Sequence, residues 1–241
     1  MKTGLNHIAI RLKNIYALAD ACRDLLERGP GVPGFGLCWG ATGMGKTTAV
    51  AYQTNQFNAI YLTATPFWSA NAMLSKILIE LGGVPRGSAS QLHDLIVQRL
   101  QENPRLIFID EADFIFENSA RRTLVEGLRS LHDMSGAPFV LVGMDKVVSK
   151  LELYPQLHGR VSRFVEFRNL DLGDLRQVVE AACEIKLSDC LLERLHEATR
   201  GRLRQAVTAI SRIEPVARLN DWQEVTAELW GDEPFFLKET P

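Results

Sequence analysis

The segment Gly40-Ala41-Thr42-Gly43-Met44-Gly45-Lys46-Thr47 places glycines, an ammonium group and a hydroxyl at every fixed position of the pattern G-x-x-x-x-G-K-[ST]. Glycines at this spacing let backbone N–H groups turn inward around a phosphate chain, and a helix opening at the lysine adds favourable partial charge at its N-terminus. Lys46 would then reach β- and γ-phosphates, and the Thr47 hydroxyl would bind Mg²⁺. The stretch Gly40 to Thr48 is therefore the expected ATP-binding segment, with Thr47 a metal ligand. Downstream, Leu106-Ile107-Phe108-Ile109-Asp110-Glu111 is an apolar run ending in two carboxylates. Asp110 is placed to hold the Mg²⁺ water shell, and Glu111 to orient or deprotonate an attacking water. That pair separates hydrolases from small-molecule kinases, which need no water-activating glutamate. Asp110-Glu111-Ala112-Asp113 also spells the signature of one helicase group. Those enzymes use two tandem motor domains, and a chain of this length has room for one, so the match is read as coincidence.

Two arginine pairs extend the constellation. Arg160 and Arg163 lie just before the last expected strand, on the rim of the sheet. An arginine there can reach a γ-phosphate bound by an adjacent subunit, a contribution worth about 10³ to 10⁵ in rate; the plain alternative is a surface ion pair. Arg202 and Arg204, in Gly201-Arg202-Leu203-Arg204, begin a helix and could fold over the nucleotide of their own subunit. A solvated basic helix face is the competing reading.

These side chains need elements to position them. Between Leu12 and Leu26 the apolar residues recur at three- and four-residue steps, which is helix spacing with one buried face. Strand-length apolar bursts follow at Phe35 to Trp39, Ala59 to Thr63, Leu106 to Asp110, Phe139 to Gly143 and Phe164 to Phe167. Helical patterns lie between them, at Ala70 to Leu81, Ser90 to Glu102, Ala120 to Met134 and Val147 to Leu153. Strands alternating with helices predict an α/β fold, a parallel sheet covered on both faces, with ligands gathered at the strands' C-terminal ends. From Asp174 to Arg218 everything reads as helix and no strand-like run is seen. The expected organisation is an α/β domain over residues 1–169, a small C-terminal helical lid over 170–231 and a loose tail over 232–241.

Composition bounds the function classes. The 241 residues are 46% apolar and 23% charged, with 27 Lys and Arg against 29 Asp and Glu. A net charge of −2 excludes a basic nucleic-acid coat, so phosphate binding must come from local arrangement. Cys22, Cys38, Cys183 and Cys190 never fall as C-x-x-C, which favours reduced, buried thiols over a zinc or disulfide framework. With no signal-like N-terminus and no apolar run of about 18 residues, a soluble cytoplasmic protein without a membrane partner is expected.

The phosphate loop, the Asp-Glu strand end, the arginines before the last strand and the G-x-x-R helix together resemble an AAA+ ATPase. Asn6-His7-Ile8-Ala9 before the first helix, the compact helical lid and His158-Gly159-Arg160 are most similar to the transposition target-selection ATPases: the B proteins of Mu-type phages with TnsC and IstB. The resemblance implies ATP-dependent oligomerisation into helical filaments on double-stranded DNA, capture of target DNA for a transposase, and disassembly on hydrolysis. It assigns phosphate-loop roles to Lys46 and Thr47, the metal and water roles to Asp110 and Glu111, the trans-acting finger to Arg160 and the lid arginine to Arg204. His7 and Ile8 through Ile10 would line the adenine pocket. One departure stands out: the strand Phe139 to Val142 ends in Gly143-Met144-Asp145, where many AAA+ proteins place an Asn or Thr that helps hold the water.

A filament tracking a duplex needs repeated phosphate contacts and little base reading. Candidate DNA contacts are Lys76, Arg86, Ser88 and Ser90, which flank a hairpin after the second strand, and Arg121 with Arg122, which start the helix after Glu111. The segment Arg194 to Arg218 adds six arginines against two glutamates. A helicase loader and a secretion-associated ATPase switch are the alternatives built on the same core.

Overall fold

The computed structural model describes residues 12–117 and 122–236. His7, Ile8 and Arg121 lie outside them. The described residues form two compact units.

The larger unit, residues 17–41 and 46–167, is built on a five-stranded parallel sheet. Its strands are β1 (Phe35–Trp39), β2 (Ile60–Thr63), β3 (Ile107–Asp110), β4 (Phe139–Gly143) and β5 (Val161–Glu166), in the spatial order β2-β3-β4-β1-β5. Parallel strands buried on both faces need continuous apolar runs, and β3 and β4 are buried throughout. Register aligns Ile60 with Ile107, Ile107 with Phe139, and Phe139 with Phe35, one apolar row running across the sheet. The Phe35 and Phe139 rings stack at 5.2 Å. The core on this face takes Met73, Ile77, Leu92, Ile96, Leu124 and Leu128 from three helices.

β5 begins three residues before the expected Phe164, so Arg163 lies inside the strand rather than ahead of it. The polar Ser162 and Arg163 hid it: β5 is an edge strand paired only with β1, and its alternate residues face water. The stretch after β2 holds the two helices expected there, Ala70–Glu80 and Ala89–Glu102, to within a residue at their ends. Arg105 secures their base by donating to the carbonyls of Asn58, Ala59 and Glu80.

Of the described residues, the smaller unit takes 12–16, the loop tip Thr42–Gly45 and 168–236. Helices Leu172–Ala182, Asp189–Thr199 and Leu203–Leu219 make most of it. Side-chain caps from Asp171 and Ser188 start the first two of these. Contrary to expectation it holds strand-like pairing, because Lys186–Leu187 lies parallel to Glu224–Val225. Two residues per strand is too short for a period-2 signal. Asn14 locks the boundary residue Arg168 from both sides, its amide donating to the Arg168 carbonyl and accepting from the Arg168 N–H. The tail is not wholly loose either: Phe235 is buried and stacks on Trp230 at 5.8 Å. Cys22, Cys38 and Cys183 are buried, whereas Cys190, on the outer side of its helix, is exposed. Burial pushes the Cys22 thiol up to about 12.

Candidate active site

The sheet sets the site through its strand order. β1 lies between β4 and β5, so the loop leaving its carboxyl end opens at the point where connections depart in opposite directions, the position at which open α/β sheets collect ligands. Gly40, first residue of that loop, has φ 151°, and a Cβ there would sit 2.5 Å from the Phe167 carbonyl. Only glycine fits. Gly43 and Gly45 also take positive φ, at 84° and 88°, so the backbone reverses repeatedly before helix Lys46–Gln56 begins. The Lys46 ammonium donates to the carbonyls of Gly40 and Ala41, which holds a positive charge against the loop. Thr48 and Thr47 fall in the first turn of the helix.

Across the sheet, β3 delivers Asp110 opposite Thr63 of β2. Asp110 is only 3% exposed, and its carboxylate is fully engaged. Oδ2 accepts from the Thr47 hydroxyl at 2.8 Å and from the Tyr61 hydroxyl at 3.0 Å, while Oδ1 accepts from the Glu111 N–H at 2.8 Å. A buried carboxylate beside a hydroxyl is a pair of hard oxygen donors, which suits Mg²⁺, an ion that keeps several waters and takes few protein ligands. The residues therefore fit the metal the loop calls for.

Glu111 stands in the left-handed region, at φ 54° and ψ 37°. A non-glycine residue held there carries backbone strain of order 1 kcal/mol or more, a cost that gathers at functional positions. Its carboxyl is pushed up chiefly by burial, then by the charges of Asp110 and Asp113, against the lowering effect of Lys46. A carboxylate with raised proton affinity beside the metal pair suits proton acceptance from water.

The two residues that composition missed are Tyr61 and Asp113. Tyr61 is half-buried in β2, on the side of Thr63 rather than that of the buried Ile60 and Leu62, and nothing in its spacing marks it as a partner for Asp110. Asp113 follows Glu111 in the 3₁₀ turn Ala112–Ile115 and accepts from the Met144 N–H at 2.7 Å.

Arg160 and Arg163 are engaged within the chain. Arg160 grips Asp133 with two bonds, Nε to Oδ1 at 2.6 Å and Nη2 to Oδ2 at 2.7 Å, and donates Nη1 to the Gln156 carbonyl. That guanidinium holds the Asp133 carboxyl below its ordinary value. Arg163 pairs with Asp24 at 2.8 Å. Within the smaller unit, the backbone N–H of Arg204 donates to the Gly43 carbonyl at 3.0 Å, and Leu203 packs on Gly45, where a Cβ would meet its side chain at 2.5 Å. The Arg204 side chain is exposed. Of the six arginines from 194 to 218, three are spent locally: Arg194 on the carbonyls of Ala227 and Gly231, Arg212 on Glu233, and Arg218 on Glu184 and Glu214. Arg200, Arg202 and Arg204 remain exposed and adjacent in sequence.

Among the proposed DNA contacts, Lys76 is exposed on helix Ala70–Glu80, and Arg86 is exposed in the turn that follows. Ser88 caps helix Ala89–Glu102 in a reciprocal box with Gln91, so its hydroxyl already has a structural use. Ser90 is exposed in the same first turn. Arg122 is exposed and lines an open cavity of about 520 Å³ with Glu126 and Tyr154.

A family model described as an AAA domain matches residues 31–151, half of the chain. The chain belongs to the AAA domain family. The match starts before β1 and runs past β4, so it contains the glycine loop, Asp110, Glu111 and Asp113. This AAA domain is 29% identical over 154 residues to the Mu-like prophage FluMu DNA transposition protein B of Haemophilus influenzae, covering 59% of this chain and 52% of that protein. It thus spans about half the length of that relative. Among solved structures, the Aeropyrum pernix ORC1 protein in complex with DNA superposes with a TM-score of 0.62 at 18% identity, over 90% of this chain and 62% of that one. The Aeropyrum pernix ORC2 protein in its ADPNP-ADP complexes gives 0.65 at 19%, over 89% and 65%. At such identities the superpositions show the fold, that of AAA+ ATPases. Nucleotide hydrolysis in general is the activity that family and fold support. Among the described residues, no helix is long and apolar enough to cross a membrane.

Proposed function

We propose that the protein is a Mg²⁺-dependent ATP hydrolase that assembles with copies of itself on duplex DNA and presents target DNA to a transposase in the cytoplasm. The hydrolase half rests on one observation above others: the Thr47 hydroxyl donating to buried Asp110, with Glu111 held beside it in a strained turn. In this reading the loop from Gly40 to Gly45, Ala41, Thr42 and Met44 included, cradles the phosphates through N–H groups. Lys46 exchanges its two loop carbonyls for phosphate oxygens. Thr47 and Asp110 hold the metal, which when bound neutralises charge building on the phosphates. Glu111 orients water and takes its proton. Arg204, beside the loop tip through its own backbone, serves as the lid arginine.

Arg160 is assigned the trans-acting finger. Its bidentate bond to Asp133 means that assembly must trade one anion for another, a carboxylate for a neighbour's phosphate. Arg163, paired with Asp24, is the second candidate at the same edge.

The DNA half rests on the likeness to a DNA transposition protein. Exposed Lys76, Arg86, Ser90, Arg122 and the run Arg200 to Arg204 supply phosphate contacts that many copies would multiply. Velocity sedimentation with ATP, Mg²⁺ and duplex DNA tests it. Fast-sedimenting nucleoprotein is expected, and its absence overturns the reading. Tighter binding to single strands would favour a helicase loader instead.

A further inference from the structure

The end of β4 carries no polar side chain toward the Glu111 turn. Gly143 stands there, and the space a side chain would take is already filled: a Cβ on Gly143 would lie 2.7 Å from Asp113 Oδ2 and 2.7 Å from Val147. The polar group at this place comes from the other strand's turn. Asp113 Oδ2 accepts from the Met144 N–H at 2.7 Å, and Oδ1 pairs with the Lys150 ammonium at 3.2 Å. Lys150 also donates to the Asp113 main-chain carbonyl at 3.4 Å. The Asp113 side chain is 14% exposed, so these bonds are poorly screened.

We infer that Asp113 is a positioning residue for hydrolysis: it clamps the turn that holds Glu111 to the carboxyl end of β4 and takes the place of the polar side chain that β4 lacks. The inference deepens the ATP-hydrolase reading and rests on it. The mechanical logic is local. Glu111 lies between a strand whose register is fixed by pairing with Thr63 and a short 3₁₀ turn, and a single such turn is weakly held by its own bonds. A left-handed residue persists only where its surroundings over-determine it. The bond to Met144 N–H supplies that constraint from β4, and Lys150, from helix Val147–Glu152, keeps the carboxylate oriented. With the clamp cut, Glu111 is free to relax its backbone and move its carboxylate away from the water. The loop that binds nucleotide is untouched.

The test compares Asp113→Ala, Asp113→Asn and Lys150→Met with Glu111→Gln, reading kcat, KM for ATP and nucleotide affinity separately. Asp113→Ala is expected to lower kcat about tenfold or more with KM and affinity within about twofold. Asp113→Asn keeps an oxygen acceptor for Met144 N–H and should recover most of the loss, and Lys150→Met should cost little. A residue that matters only for folding would raise KM, weaken nucleotide affinity and lower the melting temperature together and would not be rescued by asparagine. Two outcomes overturn the inference alone: kcat unchanged in Asp113→Ala while Glu111→Gln is inactive, or equal loss in the alanine and asparagine variants. Should wild type and Glu111→Gln both fail to hydrolyse ATP, the hydrolase reading falls and this inference with it.

Discussion

Asp110 sets the chemistry at the scale of single residues. A carboxylate removed from water is costly unless it is hydrogen-bonded, and this one has three donors, from Thr47, Tyr61 and its own neighbour's backbone. Thr47 donates from a helix and Tyr61 from a neighbouring strand, so the fold itself brings the proposed metal ligands together. Replacing Glu111 by Gln keeps the shape and removes the proton acceptor. It is expected to cut kcat by about 10² to 10⁴ while ATP affinity, read by fluorescent-nucleotide titration, stays within a few-fold. Loss of ATP binding in that variant would contradict the role assigned to Glu111. Arg160 is a different case, because its partner in the free chain is Asp133. Arg160→Ala should lower turnover with little change in ATP binding. Mixing it with a Lys46→Ala variant should restore activity, since each supplies what the other lacks. Failure of that rescue would leave Arg160 as an ion pair only.

At the scale of elements, the glycine loop depends on backbone that no other residue can adopt. Gly40→Ala would force a Cβ to within 2.5 Å of the Phe167 carbonyl, and is expected to weaken nucleotide binding at least tenfold and lower the melting temperature. Unchanged values in both measurements would mean that β1 and the chain after β5 yield easily. Ser88→Ala removes a helix cap and should cost about 1 kcal/mol in denaturant unfolding. Most of this organisation was legible in the residues. β1 and β4 match their expected bounds because both are apolar runs ended by glycine-bearing loops, and the candidates Thr47 and Asp110, from two separate segments, do come together. What escaped has a common physical cause. The first half of β5, the short Lys186–Leu187 pairing and the Asp113 clamp all depend on neighbours distant in sequence, and periodicity registers only a residue's own burial. The partner of Arg160 escaped for the same reason: a surface ion pair was one of its two readings, but the carboxylate that holds it, 27 residues away, does not announce itself in the sequence.

For the whole molecule, the net charge of −2 is distributed rather than absent. Half of the six arginines from 194 to 218 are consumed in carbonyl and carboxylate bonds, which leaves Arg200, Arg202 and Arg204 exposed within five residues of sequence. Binding by one copy should therefore be weak and steeply salt-dependent, and collective binding strong. Stability has a pH signature of its own. His132 is buried against Phe35, donates Nδ1 to the Ala137 carbonyl at 2.8 Å, and sits near Arg28, Arg160 and Asp133. Burial, aided by the arginines, lowers its pKa below the ordinary 6.5, so the unfolded chain takes up a proton that the folded chain refuses. Its contribution is fully present above about pH 6.5 and is lost as the pH falls through the lower folded value. Melting temperatures of wild type and His132→Asn should converge on acidification from pH 7.5 to 5; a constant difference would contradict this. The central claim, that this constellation hydrolyses ATP in service of a DNA-bound assembly, is met most directly by one measurement: phosphate release with ATP and Mg²⁺ as duplex DNA is titrated in. A saturable rise in rate, abolished in Glu111→Gln, is the predicted result. Wild-type release no greater than that of Lys46→Ala at every DNA concentration would contradict it.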